Sequence, residues 1–145
     1  MSLADAFNEF VRRANFPLQT NAIYTADVWE QRVGPSVNEP LGTFSQFTLY
    51  YPIDRYDQLD PVPVTYAPNG PVTPLQLLQT ISGVYATPMT EENVSVYTQM
   101  DPSYDFLNED LANGVQLKLV DAMGDLTNIT ELEPYENGYL LKLEP

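Results

Sequence analysis

The amino-acid sequence predicts an α+β fold, and three observations lead to this prediction. An amphipathic helix opens the chain, a proline-rich stretch with short alternating segments follows it, and capped helices then precede a hairpin signal. Helices and strands that are segregated along a chain are typical of the α+β class. We expect an N-terminal helix, a proline-rich extended meander, and then two or three short helices packed on a three-stranded antiparallel sheet.

The first helix has a start signal, an end signal and an apolar stripe. Ser2 can cap the helix with its hydroxyl, and Asp5 stands three positions later, as in a capping box. Pro17 cannot continue a helix, so the helix should end before it. The stripe should be buried in the protein's own core or in a neighbouring subunit. Its members are Leu3, Phe7, Phe10, Val11 and Ala14.

Residues 17–74 contain nine of the thirteen prolines, which excludes a long helix in this part of the chain. In one apolar segment Phe47, Leu49 and Tyr51 alternate onto one face, as they would in a strand. Prolines near the ends of such segments are typical of edge strands and turns. The expected strands are Ala22–Trp29, Thr43–Tyr51 and Val62–Tyr66.

Helices are expected again after residue 70. The Thr-Pro-Leu-Gln sequence at residues 73–76 combines an N-cap, a first-turn proline and a capping-box glutamine, which predicts a helix that runs to about Tyr85. Thr90 begins a second, shorter helix, whose first-turn acids suit the positive end of the helix dipole. A further short helix or turn is expected over residues 101–113.

The C-terminal segments alternate apolar and polar residues and should form the three-stranded antiparallel meander. Asn137-Gly138 is a strong signal for a two-residue hairpin turn, and it should join the last two strands. The expected strands are Val115–Val120, Leu126–Glu133 and Tyr139–Glu144. The side chains expected to be buried between these strands and the helix that ends at Tyr85 are Leu75, Leu78, Ile81, Leu117, Leu119, Leu126, Leu141 and Leu143.

The character of the chain changes near residue 70. Residues 1–70 are expected to form the N-terminal helix and an extended arm rich in proline and aromatic residues, and residues 71–145 a compact α+β unit. A chain of 145 residues can bury a core without disulfides or a structural metal. We therefore expect one structural domain overall.

The composition excludes several classes of protein. The chain has no Cys and no His, so a thiol nucleophile, a zinc site of the usual kind and a Ser-His-Asp triad are excluded. Its net charge is −14, and only Arg12 and Arg13 are adjacent bases, which argues against nucleic acid and anionic membrane as partners. The sequence has no phosphate-binding glycine motif. We expect no metal, no nucleotide or other cofactor, and no small-molecule substrate.

Neither secretion nor membrane insertion is expected from the sequence. An acid stands at Asp5, and no basic stretch precedes an apolar run, so we expect no secretion signal. The uninterrupted apolar stretches are a few residues long, which is far shorter than a membrane span.

Paired carboxylates are the catalytic option that the composition leaves open. Asp54, Asp57 and Asp60 are spaced three apart, and Asp101 and Asp105 begin a second group. A glycosidase needs two carboxylates at a set separation in a cleft, and a calcium loop needs a central glycine and a final glutamate. The sequence specifies neither arrangement, so a solvated acidic surface is the preferred interpretation.

Two blocks in the second half of the chain resemble a known family. Residues 70–90 read Gly-Pro-Val-Thr-Pro-Leu-Gln-Leu-Leu-Gln-Thr-Ile-Ser-Gly-Val-Tyr-Ala-Thr-Pro-Met-Thr, and residues 117–124 read Leu-Lys-Leu-Val-Asp-Ala-Met-Gly. Together with the hairpin and the apolar last strand, they resemble an uncharacterised small domain family found in fungi and large DNA viruses. The resemblance covers about residues 70–145. It implies a fold and a source, and it assigns no catalytic residue.

The preferred hypothesis is a non-enzymatic structural or interaction protein, namely a minor capsid-associated component of the virion of a large DNA virus. Its partners would be other protein subunits of the assembly, and it would lie in the virion, or in the host cytoplasm before assembly. The alternative is a soluble acidic adaptor that binds a basic partner protein. A third hypothesis is a carboxylate-dependent hydrolase.

Partners are expected to contact the meander at residues 15–70, because aromatic side chains dominate binding hot spots. Successive residues of a strand face opposite sides, so Tyr50 and Tyr51 cannot both be buried against the C-terminal unit. The alternative is that these aromatic residues complete the protein's own core. The candidate anchors are Tyr24, Trp29, Phe44, Phe47, Tyr50, Tyr51 and Tyr56.

Overall fold

The computed structural model describes residues 2–145 and has the α+β class that the sequence predicts. In this part of the chain, no helix has the length and apolar character needed to cross a membrane. The helices are α1 (Leu3–Arg13), α2 (Ala26–Val33), α3 (Pro74–Tyr85), α4 (Glu91–Met100) and α5 (Asp105–Ala112). The strands are β1 (Gly42–Thr43), β2 (Phe47–Tyr51), β3 (Val62–Tyr66), β4 (Pro71–Val72), β5 (Asn128–Tyr135) and β6 (Gly138–Glu144). Short 3₁₀ turns lie at Pro35–Asn38, Pro102–Tyr104 and Leu119–Ala122.

Helix α1 begins and packs as its sequence predicts. Ser2 Oγ accepts a hydrogen bond from the Asp5 N–H at 3.1 Å and caps the helix. Phe7 is fully buried, and the apolar face of the helix lies against β5. The first helix therefore belongs to the protein's own core.

The main sheet has the strand order β3-β2-β6-β5. Strand β2 pairs antiparallel with β3 and parallel with β6, and β5 and β6 form an antiparallel hairpin. Leu49 and Tyr51 of β2 are fully buried, which fits an interior strand. The prolines near β2 thus do not mark an edge strand, whereas β3, which contains Pro63, lies at the edge of the sheet.

The sheet and the core join the two parts of the chain on either side of residue 70. Strands β2 and β3 precede this residue, and β5 and β6 follow it. The main core includes Leu49 of β2, Leu78 of α3 and Leu141 of β6. A second, smaller hydrophobic cluster lies between α4, α5 and residues 117–122.

The prediction of a strand over Ala22–Trp29 is wrong, because a helix begins inside this segment. Thr25 Oγ1 accepts a hydrogen bond from the Val28 N–H at 3.3 Å and caps α2. Asp27 adds an acidic side chain in the first turn, where the helix dipole favours it. The cap overrides the preference of the neighbouring aromatic and β-branched residues for a strand.

The prediction of a strand over Val115–Val120 is also wrong. The Met89 N–H donates to the Leu117 carbonyl, and the Leu119 N–H donates to the Thr87 carbonyl, both at 2.9 Å. This segment therefore pairs with the connection between α3 and α4, and a 3₁₀ turn follows. The main sheet consequently has β2 beside β6 in place of the expected third strand of the meander.

The expected hairpin of β5 and β6 is present, but its loop lies one residue earlier than the sequence suggests. Tyr135 pairs with Gly138, so the loop is residues 136–137. Gly138 lies within β6, where an added Cβ would be 2.1 Å from the carbonyl oxygen of Thr48 in β2. Glycine is required here by the close approach of β2 and not by the turn.

Of the eight side chains expected to be buried, four are buried and four are half-buried, and Leu78 has no exposed surface. The fully buried members of the set are Leu78, Ile81, Leu117 and Leu141. The half-buried members, at the margin of the core, are Leu75, Leu119, Leu126 and Leu143.

Candidate functional site

Two of the candidate anchors, Trp29 and Tyr51, lie inside the protein. Both side chains are fully buried, and the Tyr51 ring packs edge-on against Tyr85 with the ring centroids 6.1 Å apart. The expectation that these two residues anchor a partner is therefore corrected: they are core residues with no exposed surface. Tyr51 is buried because β2 is an interior strand of the sheet. Trp29 is buried because it lies on the inward face of α2, the helix that Thr25 caps.

Tyr24 and Phe44 lie at the margin of the main core. The Tyr24 ring is 5.0 Å from the Trp29 ring, and the Arg32 guanidinium lies 5.1 Å from the Tyr24 ring centre. Phe44 packs edge-on against Phe47, with the centroids 6.4 Å apart. Each of these half-buried rings already has partners within the chain.

Tyr50 and Tyr56 lie away from the main core. The Tyr50 ring is 4.9 Å from the Tyr135 ring, and it faces the side of the sheet opposite to Tyr51. Tyr56 is 44% exposed and packs edge-on against Tyr104. The seven candidate anchors are thus dispersed over the molecule and do not form one surface.

The hydroxyls of the buried tyrosines are bound within the fold. The Tyr51 and Tyr66 hydroxyls are 2.6 Å apart, and the Tyr85 hydroxyl donates to the Pro52 carbonyl at 2.7 Å. Burial raises the pKa of Tyr51, and its bond with Tyr66 raises it further. Burial likewise raises the pKa of Tyr85. Both residues therefore remain neutral at physiological pH and have a structural role.

The Asp54 carboxylate organises the loop between β2 and β3. Its residue is 3% exposed, and it accepts hydrogen bonds from the backbone N–H groups of Tyr56, Gln58 and Leu59 at 3.1–3.2 Å. Within residues 2–145, no three acidic side chains converge in a way that could hold a metal ion. Asp54 therefore acts as the anchor of its loop.

Two cavities lie between β3 and α3, one near each end of the strand. One cavity, of about 490 Å³, is lined by Tyr66 at the end of β3 and by Gln76 and Thr80 of α3. The other, of about 450 Å³, is lined by Val62 at the start of β3 and by Val84 of α3. We refer to them as the Tyr66 cavity and the Val62 cavity, and to the two cavities together with the outer side of β3 between them as the edge groove.

The Val62 cavity is apolar, and its rim is exposed. Val62 is 43% exposed and Val96 of α4 is 51% exposed. Leu59 and Met89 add to the apolar wall. Exposed apolar side chains that surround a cavity are typical of a binding site.

The outer side of β3 is the open edge of the main sheet, since no strand within residues 2–145 pairs with it. The opposite edge, on β5, is covered. The Asn8 side chain donates to the Leu132 carbonyl at 2.9 Å and accepts from the Leu132 N–H at 2.7 Å, and the Ile129 N–H donates to the Leu18 carbonyl. Because an unpaired strand edge can pair with another chain, β3 is the strand of the main sheet that is available to a partner.

Acidic residues begin the helix that carries the rim residue Val96. Glu91 and Glu92 form the first turn of α4, and Glu92 lies one turn before Val96 on the same face. Asp57 and Asp60 lie in the loop that leads into β3. All four acidic side chains are exposed, in a chain whose net charge is −14. This end of the edge groove therefore suits a partner with basic side chains beside an apolar one.

Sequence reasoning missed the edge groove because its walls come from segments that are distant along the chain. Of the candidate anchors, Phe47 lines the Tyr66 cavity, and Tyr51 lines the Val62 cavity. One local signal pointed to this place, since Pro63 within an alternating segment marks an edge strand. The exposure of Val96 depends on which face of α4 is buried, and tertiary packing decides that.

No family model, curated protein or solved structure matches the chain. Its function is therefore inferred from its own residues.

Proposed function

We propose that this protein is a non-enzymatic, protein-binding component of a larger assembly and that it binds its partner through the edge groove. The observation that carries the proposal is the apolar Val62 cavity, whose rim leaves Val62 43% and Val96 51% exposed. A partner side chain that fills the cavity would remove this surface from water. The expected gain is about 25 cal/mol for each Å² of apolar surface buried.

The charge of the molecule restricts the kind of partner. A net charge of −14 repels other acidic chains and attracts basic ones, so a basic surface around an apolar anchor is the expected complement. We extend the proposal to a minor capsid-associated component of the virion of a large DNA virus, present in the host cytoplasm before assembly. The resemblance of residues 70–145 to a domain family of fungi and large DNA viruses supports this source.

A second candidate is an acidic adaptor that binds a basic partner reversibly. Residues 73–145 favour it, because they contain twelve acidic and two basic residues. The two candidates differ in the lifetime of the complex. A component of an assembly stays bound through purification, whereas an adaptor exchanges.

The test compares the complexes that the full chain and its groove variants form in their native source. Val62→Lys and Val96→Lys each place a charge at the rim of the Val62 cavity. Val115→Lys makes the same change at a residue that is 45% exposed and does not line the edge groove. Tagged chains are isolated from native particles and from lysate, and the co-purifying proteins are quantified.

We expect a stoichiometric protein to co-purify with the wild type and with Val115→Lys, and to be lost with both groove variants. Equal recovery with all three variants would place the binding surface elsewhere and contradict the proposal. A wild-type chain that recovers no stoichiometric protein would contradict it as well. Recovery that survives extensive washing supports the assembly component, and recovery that washing removes supports the adaptor.

A further inference from the structure

We infer that the partner contributes an extended segment, which pairs with the open edge of β3 as a fifth strand of the main sheet and inserts one large side chain into each cavity of the edge groove. The inference rests on the proposed function and specifies its partner. The occupant is a segment of another protein with Lys or Arg beside its anchoring residues.

The pairing of β2 with β3 determines which backbone groups of β3 face outward. In an antiparallel ladder, successive residues direct their N–H and C=O groups alternately toward one neighbour and the other. Pro63, opposite Tyr50, has no N–H to donate to β2, which suits an outward-facing position. By the same alternation Thr65 faces outward.

A side-chain contact agrees with this alternation. The hydroxyls of Thr48 and Thr65 are 2.9 Å apart, and side chains come closest in the pairs that exchange no backbone hydrogen bonds. The open edge therefore offers a partner one donor, the Thr65 N–H, and two acceptors, the carbonyls of Pro63 and Thr65. Main-chain bonds of this kind hold an added strand in other sheets.

The spacing of the two cavities matches an extended chain. Val62 and Tyr66 are four residues apart on β3, which corresponds to about 13 Å along a strand. Residues four apart in a strand share a face, so a paired segment can direct two side chains to the two cavities. A helix would need about nine residues for the same distance and would leave the outward-facing groups of β3 unpaired.

Helix α3 forms the second wall and indicates which side chains fit. Gln76, Thr80 and Val84 are spaced four apart and therefore lie on one face, which passes both cavities. All three are uncharged, and the face changes from polar at Gln76 to apolar at Val84. We expect an aliphatic side chain in the Val62 cavity and a large side chain with a polar end, such as tyrosine, in the Tyr66 cavity.

The charges indicate another protein as the occupant, in preference to a second copy of this chain. Two copies would each carry a net charge of −14 and repel each other. If the β3 strands of two copies paired with each other, both strands would lack a donor at Pro63. Glu92, one helical turn before the rim residue Val96 on α4, instead favours Lys or Arg next to the aliphatic anchor.

The first test selects binders to the purified full chain from a display library of random linear peptides. We expect the enriched peptides to carry two large side chains four positions apart, with Lys or Arg beside them. Val96→Lys should weaken their binding at least about tenfold and Val115→Lys less than about twofold, since tenfold is typical of losing one anchor. Enriched peptides that bind Val62→Lys and Val96→Lys as tightly as the wild type would contradict the inference.

The second test examines backbone pairing through the peptide and leaves the protein unchanged. N-methylation at alternate peptide nitrogens removes the donors to Pro63 and Thr65, and it should lower the affinity at least about tenfold. N-methylation at the intervening nitrogens should have little effect. Equal tolerance of methylation at both sets of positions would overturn the added strand.

Failure of the inference can be distinguished from failure of the proposed function. If Val96→Lys loses the co-purifying protein but the library yields no linear binder to the groove, the partner binds with a folded surface. That result overturns the inference and leaves the proposed function in place. If Val96→Lys retains the co-purifying protein, the proposed function of the edge groove is contradicted.

Discussion

Gly138 lies where the parallel strands β2 and β6 approach each other. A Cβ at this position would lie 2.1 Å from the carbonyl oxygen of Thr48, a backbone atom that cannot move without its strand. Gly83 of α3 is the opposite case, because a Cβ there would meet no heavy atom within 4 Å among the described residues. Tertiary packing therefore requires glycine at residue 138, whereas no neighbouring atom within residues 2–145 requires it at residue 83.

Gly138→Ala should destabilise the fold by at least about 1–3 kcal/mol, because the added methyl group forces β2 and β6 apart. Gly83→Ala is the matched control, and it should stabilise the fold by about 0.4–1 kcal/mol, since alanine loses less entropy in a helix. Denaturant unfolding of the two variants measures both changes. A Gly138→Ala variant as stable as the wild type would contradict the close approach of the strands.

Three buried tyrosines should make the free energy of unfolding fall at alkaline pH. Burial raises the pKa of Tyr51, Tyr85 and Tyr97. An unfolded tyrosine titrates near pH about 10, so above this pH the folded state keeps protons that the unfolded state loses. The corresponding stability is fully present below pH about 10 and is lost as the pH rises further.

Tyr85→Phe should reduce this alkaline loss, because one titrating group is removed. Each buried tyrosine contributes up to about 1.4 kcal/mol per pH unit to the slope of the unfolding free energy. At neutral pH the variant should be less stable by about 0.5–1.5 kcal/mol, since the Pro52 carbonyl loses its donor. Tyr56→Phe removes an exposed hydroxyl and serves as the control. Urea unfolding at stepped pH gives the slopes, and equal slopes for Tyr85→Phe and the wild type would count against this role.

At the scale of secondary-structure elements, the two outer strands of the main sheet differ. The outer side of β5 receives the Asn8 amide and the backbone of residues 18–20. Within residues 2–145 no strand covers the outer side of β3. A covered edge resists pairing with other chains, so the main sheet of the described residues has one edge, on β3, at which a strand can be added.

Asn8→Ala removes both hydrogen bonds to the backbone of Leu132 and should cost about 1–3 kcal/mol, because a buried N–H and C=O lose their partners. Asn108→Ala changes an exposed residue of α5 and is the matched control. The Leu132 amide should exchange its hydrogen faster in Asn8→Ala and at the wild-type rate in Asn108→Ala. Unchanged exchange of Leu132 in Asn8→Ala would rule out the covering of β5 by this side chain.

The elements that the sequence predicts correctly are those whose signals are local. The caps of α1, α3 and α4 each lie within four residues, and the hairpin of β5 and β6 follows from its own alternation. The errors occur where the secondary structure depends on pairing with a distant segment or on an N-cap inside a segment of strand-forming residues. Residues 115–120 pair with residues 87–89, and Thr25 caps a helix within a segment of strand-forming residues.

The candidate site was less predictable than the fold. Aromatic residues dominate binding surfaces, but they also bury the most surface in a core, so composition could not assign Trp29 and Tyr51 to one or the other. Pro63 marked the edge strand. Val62 and Val96 line the same cavity because α4 packs against the loop before β3. No local sequence pattern specifies this packing.

For the molecule as a whole, the position of the Val62 cavity and the net charge act together. The cavity lies between the main core, which contributes Val84, and the smaller cluster, which contributes Met89 and Tyr97. The net charge of −14 gives the whole molecule a negative long-range potential. The proposed recognition of a basic partner therefore combines long-range attraction between charges with burial of apolar surface in the cavity.

The association rate of a basic groove-binding peptide should fall as the salt concentration rises, because salt screens the attraction between exposed charges over about 10 Å at 0.1 M. The dissociation rate should change little, since apolar burial holds the bound peptide. Stopped-flow measurements with the full chain separate the two rates. An association rate that is independent of salt would show that the acidic surface does not attract the partner.

Binding along the open edge of β3 is tested most directly by hydrogen exchange of the full chain, free and in complex with the protein that co-purifies with it. We expect the Thr65 amide to become strongly protected in the complex, because its outward-facing N–H then donates to the added strand. The amides around Tyr24 and Phe44 should exchange at unchanged rates. Protection around Tyr24 and Phe44 with unchanged exchange at Thr65 would contradict binding at the edge groove.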